Sequence, residues 1–467
     1  MHFNSLVFPI FLLGVLLLQR GLPPGARRVF LVLASYLFYG AAHPFYCGLL
    51  LLSTLVDYSA GLALGRTEDP GRRKAWVGLS VLVNLGLLGV FKYGDFIIGS
   101  INAFGPGLPL PGFVLPVGIS FYTFQTIAYT IDVYRRKVEP ESSFLHFALF
   151  VSFFPQLVAG PIERAKKLLP QLRDWPPPSA EDRAEGFQRI LWGFVKKLVF
   201  ADHLGLLVHE VYSAPAEAGG PALALGTLAF TFQLYLDFSA YSDIAIGSAR
   251  MMGIRLSENF RWPLVARNPT DFWARWHITL TEWFRDYVFT PMGGTSRKRP
   301  WRTYRNLLVL VTLIGLWHGA SWNFVVFGLG HGLCLVVYHA LRTRPGRGRR
   351  GPLLGTAWWS TPAAVLIWAF FINFWAILFR ADSFADAWII IGRIARWEGS
   401  WDPRHMFHLG LVVMVWLVHI ARDRWANRSG FLANRSPIVR ALWWTGLILL
   451  ILFGSVDATE RFIYYRF

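Results

Sequence analysis

Long apolar runs separated by short polar segments repeat along the whole chain. They fall at 6–19, 29–40, 45–65, 76–98, 114–134, 145–163, 187–212, 222–249, 306–340, 355–379, 406–421 and 440–456. A helix that crosses the hydrocarbon core needs about 20 apolar residues, fewer where it is hairpinned or broken. The pattern predicts an all-α polytopic membrane protein, a bundle of about 11 transmembrane helices. It is read as one integral membrane domain over 1–467, with the motif-bearing core at about 114–340. The run Leu6–Leu18 has no basic stretch before it and no small-residue cleavage site after it, so it reads as a first span and not a removable signal. No repeat of 20–50 residues is visible, and the only low-complexity tract is the Arg/Gly/Pro stretch 342–352.

Basic clusters between the runs orient them. Arg20/Arg27/Arg28, Arg66/Arg72/Arg73/Lys74, Arg135/Arg136/Lys137, Arg164/Lys166/Lys167/Arg173, Arg297/Lys298/Arg299/Arg302/Arg305 and Arg342/Arg344/Arg347/Arg349/Arg350 all read as cytoplasmic, with both termini outside. Two runs then enter and leave on the same side. Residues 145–163 contain Pro155, Gly160 and Pro161, and residues 306–340 contain Gly319, Gly328, Ser321 and Asn323. Irregular backbone at membrane depth is tolerated only where protein buries it or a wet cavity faces it. Two re-entrant or broken hairpins are therefore expected, each beside a site.

Composition agrees. Of 467 residues 54% are hydrophobic and only 16% charged, against about 25% in soluble domains, which excludes a soluble enzyme and a disordered chain. The formal charge of +18 would suggest nucleic acid in a soluble protein. Here the basic residues lie between spans and form no stripe, so they read as cytoplasmic loops facing anionic headgroups, with no nucleic-acid partner. Cys47 and Cys334 sit in apolar runs, which gives neither a disulfide framework nor a zinc pattern.

Residues 250–305 are neither a span nor a loose loop, with 11 basic and 4 acidic residues, net +7. Asn268-Pro269-Thr270-Asp271 predicts a helix start. Trp273, Trp276, Leu280, Phe284 and Tyr287 follow at intervals of three or four, opposite Asp271, Arg275, Glu282 and Asp286. This spacing predicts an amphipathic helix near 270–290, at the interface or docked on the bundle. His277 shares its apolar face. It is either a buried packing histidine or one aimed into a cavity that the helix closes. His318 sits at the break Trp317-His318-Gly319. Two hairpin legs sharing 35 residues reach about 26 Å each, so this turn lies deep in the bilayer. An ionisable group there points to function, the alternative being a satisfied histidine at a kink.

His331 and His339, eight apart, stand on one helical side, but no carboxylate set or HExxH accompanies them, so no metal is expected. Asp237, Ser239, Tyr241 and Asp243 crowd one span, either as a polar clamp between helices or as part of a site. No GxSxG, Walker A or GxGxxG motif occurs.

Several blocks then resemble the membrane-bound O-acyltransferases, in the branch of the alginate O-acetyltransferase membrane subunit. The strongest are Leu236-Asp237-Phe238-Ser239-Ala240-Tyr241-Ser242-Asp243, Glu258-Asn259-Phe260, Phe272-Trp273-Ala274-Arg275-Trp276-His277, Gly293-Gly294, Arg302-Thr303-Tyr304-Arg305-Asn306 and Gly315-Leu316-Trp317-His318-Gly319. Weaker echoes include Gly160-Pro161-Ile162-Glu163-Arg164 and the terminal Phe462-Ile463-Tyr464-Tyr465.

The resemblance implies acyl transfer through a funnel across the bilayer, with His318 essential and His277 as the family's second histidine. His318 is the expected general base, and His277 would orient the acceptor or the donor carbonyl. Asp237, Ser239, Tyr241, Asp243, Trp276, Trp317 and Asn323 are expected around the tunnel. The resemblance further implies acetyl-CoA or another acyl thioester as donor and no bound cofactor. A periplasmic acetyltransferase partner, a polysaccharide acceptor such as alginate and a bacterial inner-membrane location complete the expectation. D-alanyl transfer and peptidoglycan acetylation stay open within the family, and a transporter stays open outside it.

Overall fold

The computed structural model describes residues 3, 5, 7–41, 43–296, 298–344, 348–349, 353, 357, 359–400, 402–425, 436–456 and 463. Arg297, Arg347, Arg350, Phe462, Tyr464 and Tyr465 lie outside the described residues, as do the first residues of the runs expected at 6 and 355. Apart from a two-residue antiparallel pair, Thr343–Arg344 with Gly348–Arg349, the regular structure among the described residues is helical.

Seven of the described helices are long and apolar enough to cross a membrane: Tyr46–Arg66, Pro70–Asn102, Gly220–Met251, Trp322–Arg342, Ser360–Arg380, Pro403–Asp423 and Pro437–Gly454. Val7–Gly21 is apolar but shorter. The chain forms two compact units, residues 1–193 with 241–258, and residues 194–240 with 259–467.

In the first unit a buried polar cluster ties three helices together. Asp57 accepts from Thr130 Oγ1 at 2.8 Å, from Asn84 Nδ2 at 2.6 Å and from Ser80, while Ser53 donates to Asn84 Oδ1 at 2.7 Å. A carboxylate at membrane depth is tolerated when its lone pairs are filled in this way.

The 145–163 run is broken as expected. Helix Phe144–Ser152 gives way to a single turn, Phe154–Leu157, and then to irregular backbone before helix Ala165–Asp174. Every residue from Phe147 to Glu163 is buried, which meets the condition for non-helical backbone in a membrane. A Cβ on Gly160 would fall 2.9 Å from the Gln156 carbonyl oxygen, so the close turn requires glycine. Glu163 is held by Ser257, whose hydroxyl donates at 3.1 Å and whose backbone N–H also donates.

In the second unit the 306–340 run is a hairpin of helices Pro300–His318 and Trp322–Arg342. Its legs approach through glycine. A Cβ on Gly315 would meet Gly328 Cα at 2.7 Å, and one on Gly328 would meet the Val311 carbonyl oxygen at 2.6 Å. Small residues at a crossing let helix backbones touch, which lipid cannot otherwise drive. Before the hairpin, Gly293 and Gly294 take φ of 98° and 55°, and the Gly294 carbonyl accepts from Asn306 Nδ2 at 3.1 Å.

The 187–212 run is helical but contains a π-helical stretch, Val195–Ala201, carrying Lys196 and Lys197. The amphipathic stretch near 270–290 is not one helix. It consists of Pro269–Trp273, a break at Ala274–His277, Ile278–Phe284 and a π turn at Arg285–Phe289. The break has a backbone cause: the Arg261 N–H donates to the Arg275 carbonyl and the Ile278 N–H to the Asn259 carbonyl, each at 2.9 Å. Those pairs hold the chain in a turn where helix spacing alone would continue. Trp273, Trp276, Leu280 and Phe284 are nevertheless buried, as the pattern predicts.

Candidate active site

The site is built in the second unit. Asn268 caps the short helix Pro269–Trp273 by accepting from the Asp271 N–H at 2.9 Å, with proline in the first turn. The chain then turns at His277, whose φ of 42° is left-handed. A non-glycine residue held there costs on the order of 1–3 kcal/mol and persists only where its surroundings fix it.

Asn259 does the fixing. Its Oδ1 lies 3.0 Å from His277 Nδ1 and also accepts from Thr279 Oγ1 at 3.0 Å. An amide oxygen cannot donate, so Nδ1 carries the proton and Nε2 keeps its lone pair. His277 is fully buried, and burial pushes its imidazole well below the ordinary histidine range, with nearby His318 adding to the effect. Its ring meets Phe238 at 4.8 Å and Trp317 at 5.6 Å between centroids.

His318 ends the first leg of the hairpin and is 3% exposed. Its ring stands 5.0 Å from Trp317 and 5.2 Å from Phe379, so the Trp317 indole touches both histidines. Gly319 follows in an extended conformation, and a Cβ there would fall 2.7 Å from Phe324 Cζ.

Beside His318 lies a cavity of about 40 Å³ whose wall includes Trp273, Trp276, Phe327, His331 and Phe379. A water needs roughly 10–15 Å³ on this measure, so the cavity has room for about three waters. No carboxylate borders it among the described residues. An imidazole beside such a pocket is suited to take a proton from a hydroxyl poised at its mouth.

The expected site residues part into groups. His318 and Trp276 border the cavity, and His277 and Trp317 pack next to them. Asn323 instead donates to the Ala381 carbonyl at 2.9 Å, which pins the hairpin turn to the helix Ser360–Arg380. Asp237 and Ser239 belong to an ionic cluster. Lys197 Nζ lies 2.7 Å from Asp237 and 2.8 Å from Asp202, Lys196 donates to Ser239 at 2.9 Å, and the Ile463 N–H donates to Asp237 at 2.8 Å. Tyr241 and Asp243 belong to the first unit, where Tyr241 stacks on Phe3 at 4.4 Å and Asp243 pairs with Arg189 at 2.9 Å.

His331 and His339 also separate, because His331 borders the cavity while the ring of His339 packs on Tyr304 at 5.9 Å. Sequence reasoning passed over Lys196, Lys197 and Asp202. The signal was present, since two lysines interrupt an apolar run and such residues are rare in spans. It also passed over Asn259 as the partner of His277, for which the sequence offers no spacing cue.

Residues 133–359 match the family described as MBOAT, membrane-bound O-acyltransferase family. The chain is 38% identical to the "Probable alginate O-acetylase AlgI" of Azotobacter vinelandii, over 83% of this chain and 77% of that protein. It is 35% identical to the protein of the same name from Pseudomonas putida, over 94% of each. The chain belongs to the membrane-bound O-acyltransferase family. The "Peptidoglycan O-acetyltransferase" of Helicobacter pylori is 34% identical, over 82% of this chain and 78% of that relative.

This membrane-bound O-acyltransferase is thus a multi-pass, all-helical membrane enzyme, and O-acetyl transfer is the chemistry that the names of those three relatives share. Moving an acyl group to a hydroxyl requires a base at the acceptor oxygen and stabilisation of the tetrahedral oxyanion. The second unit places buried imidazoles beside a small, largely apolar cavity.

Proposed function

We propose that this enzyme takes an acetyl group from acetyl-CoA at the cytoplasmic face of a bacterial inner membrane and delivers it for O-acetylation of an exopolysaccharide such as alginate. The acetyl group passes either to a sugar hydroxyl or to a periplasmic acetyltransferase that finishes the transfer. His318 is the general base. His277, neutral and fixed by Asn259, orients the acceptor or the donor carbonyl. Trp276 and Trp317 shape the site, and Asp237 and Ser239 support it through the Lys196–Lys197 cluster. The whole chain acts as one integral membrane domain.

The observation that supports this reading is the largely apolar cavity beside His318, which suits a small uncharged acyl group. An acetyl group is uncharged, whereas a D-alanyl group carries an ammonium, and no carboxylate borders the cavity among the described residues to pair with it. Peptidoglycan acetylation is favoured as the second reading by the Helicobacter relative. The test is expression in an alginate-producing bacterium that lacks its own membrane O-acetylase, followed by O-acetyl measurement on secreted alginate and on purified peptidoglycan. Acetyl on alginate alone supports the first reading, and acetyl on peptidoglycan alone selects the second.

A further inference from the structure

Two residues that border the cavity carry buried polar atoms for which the protein itself supplies no partner. Trp273 borders the cavity and is 6% exposed, and its indole Nε1–H is buried with no acceptor. His331 borders the same cavity at 2% exposure, and its Nδ1 is likewise buried without a partner. The two rings meet edge to face at 5.8 Å. Buried donors are satisfied in the great majority of cases, and leaving one unmade costs about 1–3 kcal/mol. Two such atoms on neighbouring rings, beside the histidine that the proposed chemistry uses, call for an acceptor that arrives with the substrate.

We propose that Trp273 Nε1–H, seconded by His331 in its Nδ1–H form, binds the acyl carbonyl oxygen and stabilises the oxyanion that forms on it. This rests on reading the cavity as the acyl site. In the step, the acceptor hydroxyl oxygen bonds to the thioester carbonyl carbon while its proton passes to His318. The carbonyl electron pair moves onto oxygen, where Trp273 and His331 donate to it. Collapse re-forms the carbonyl and breaks the carbon–sulfur bond, and the departing thiolate takes the proton from His318. Both donors are in place before substrate arrives, so little reorganisation is needed as charge develops.

The direct test is the rate of labelled acetyl transfer from acetyl-CoA to polymer in membranes of an alginate-producing host, normalised to folded protein. Trp273→Phe keeps an aromatic ring and loses the N–H. It is expected to lower kcat by about 10²-fold or more, the usual effect of deleting one such donor, with KM for acetyl-CoA changed less than about threefold. Replacing Trp273 by its benzothiophene isostere, which keeps the indole shape, gives the same loss and covers the case in which phenylalanine harms folding. His331→Asn, whose amide N–H can stand near the Nδ1 position, retains more kcat than His331→Leu. Trp368→Phe removes another buried indole N–H that lacks an acceptor but does not border the cavity, and it leaves kcat unchanged. Wild-type kcat in the isostere variant, with His318→Ala inactive, overturns this inference and leaves the acyl-site reading intact. Full activity in His318→Ala overturns that reading itself.

Discussion

Lys197 Nζ lies 2.7 Å from Asp237 Oδ1, with both side chains 2% exposed, and the same ammonium holds Asp202 at 2.8 Å. One cation thus neutralises two buried carboxylates, so the partners are unequal. Lys197→Met removes the ammonium that both carboxylates share and is expected to cost about 3–5 kcal/mol, the usual consequence of breaking a buried ion pair at one partner. Asp237→Asn leaves the Lys197–Asp202 pair in place and costs less. Thermal challenge followed by size-exclusion detection of surviving folded protein should rank wild type above Asp237→Asn and Asp237→Asn above Lys197→Met.

Asn259 sets the tautomer of His277 through the 3.0 Å contact at Nδ1. Asn259→Ala should lower kcat by about 10-fold or more, within the range that a positioned proton-transfer group contributes. Because burial holds His277 well below the ordinary histidine range, its titration is not expected to set the pH midpoint of activity near neutrality. Residual activity of His277→Asn should therefore show the wild-type pH midpoint, measured as transfer rate against pH. A midpoint that moves would mean that His277 titrates.

The hairpin carrying His318 depends on glycine at its crossing. A Cβ on Gly328 would stand 2.6 Å from the Val311 carbonyl oxygen and 3.0 Å from Gly315 Cα, so backbone has to give way. Gly328→Leu should separate the legs, lowering both protein level and activity, with Gly328→Ala intermediate at about 1–3 kcal/mol. Melting temperature and transfer rate should fall together.

Phe379 stands 5.2 Å from His318 and closes one side of the cavity. Phe379→Leu should enlarge it at a modest cost in stability and raise the butyryl-to-acetyl ratio when the two thioesters compete. An unchanged ratio would show that the cavity does not hold the acyl group.

The helical spans and both broken hairpins were legible because apolar run length and the breakers Pro155, Gly160 and Gly319 act locally. The histidines were legible because ionisable groups are conspicuous in apolar runs. The break at His277 was not, since it comes from backbone pairing with Asn259 and Arg261, which no local spacing records. The acidic pair separates for a geometric reason. Asp237 and Asp243 are six residues apart, which at 3.6 residues per turn puts them about 120° apart around the helix. One meets Lys197 and the other Arg189, in different units. Lys197 and Asp202 are five residues apart on one helical stretch, and Asp237 joins them only through tertiary folding.

His318 carries the chemistry in this reading, and one substitution tests it most directly. His318→Ala, expressed in an alginate-producing host without its own membrane O-acetylase, should reach wild-type levels in the membrane and add no O-acetyl to the polymer. Acetylation at the wild-type level by that variant would contradict the assignment.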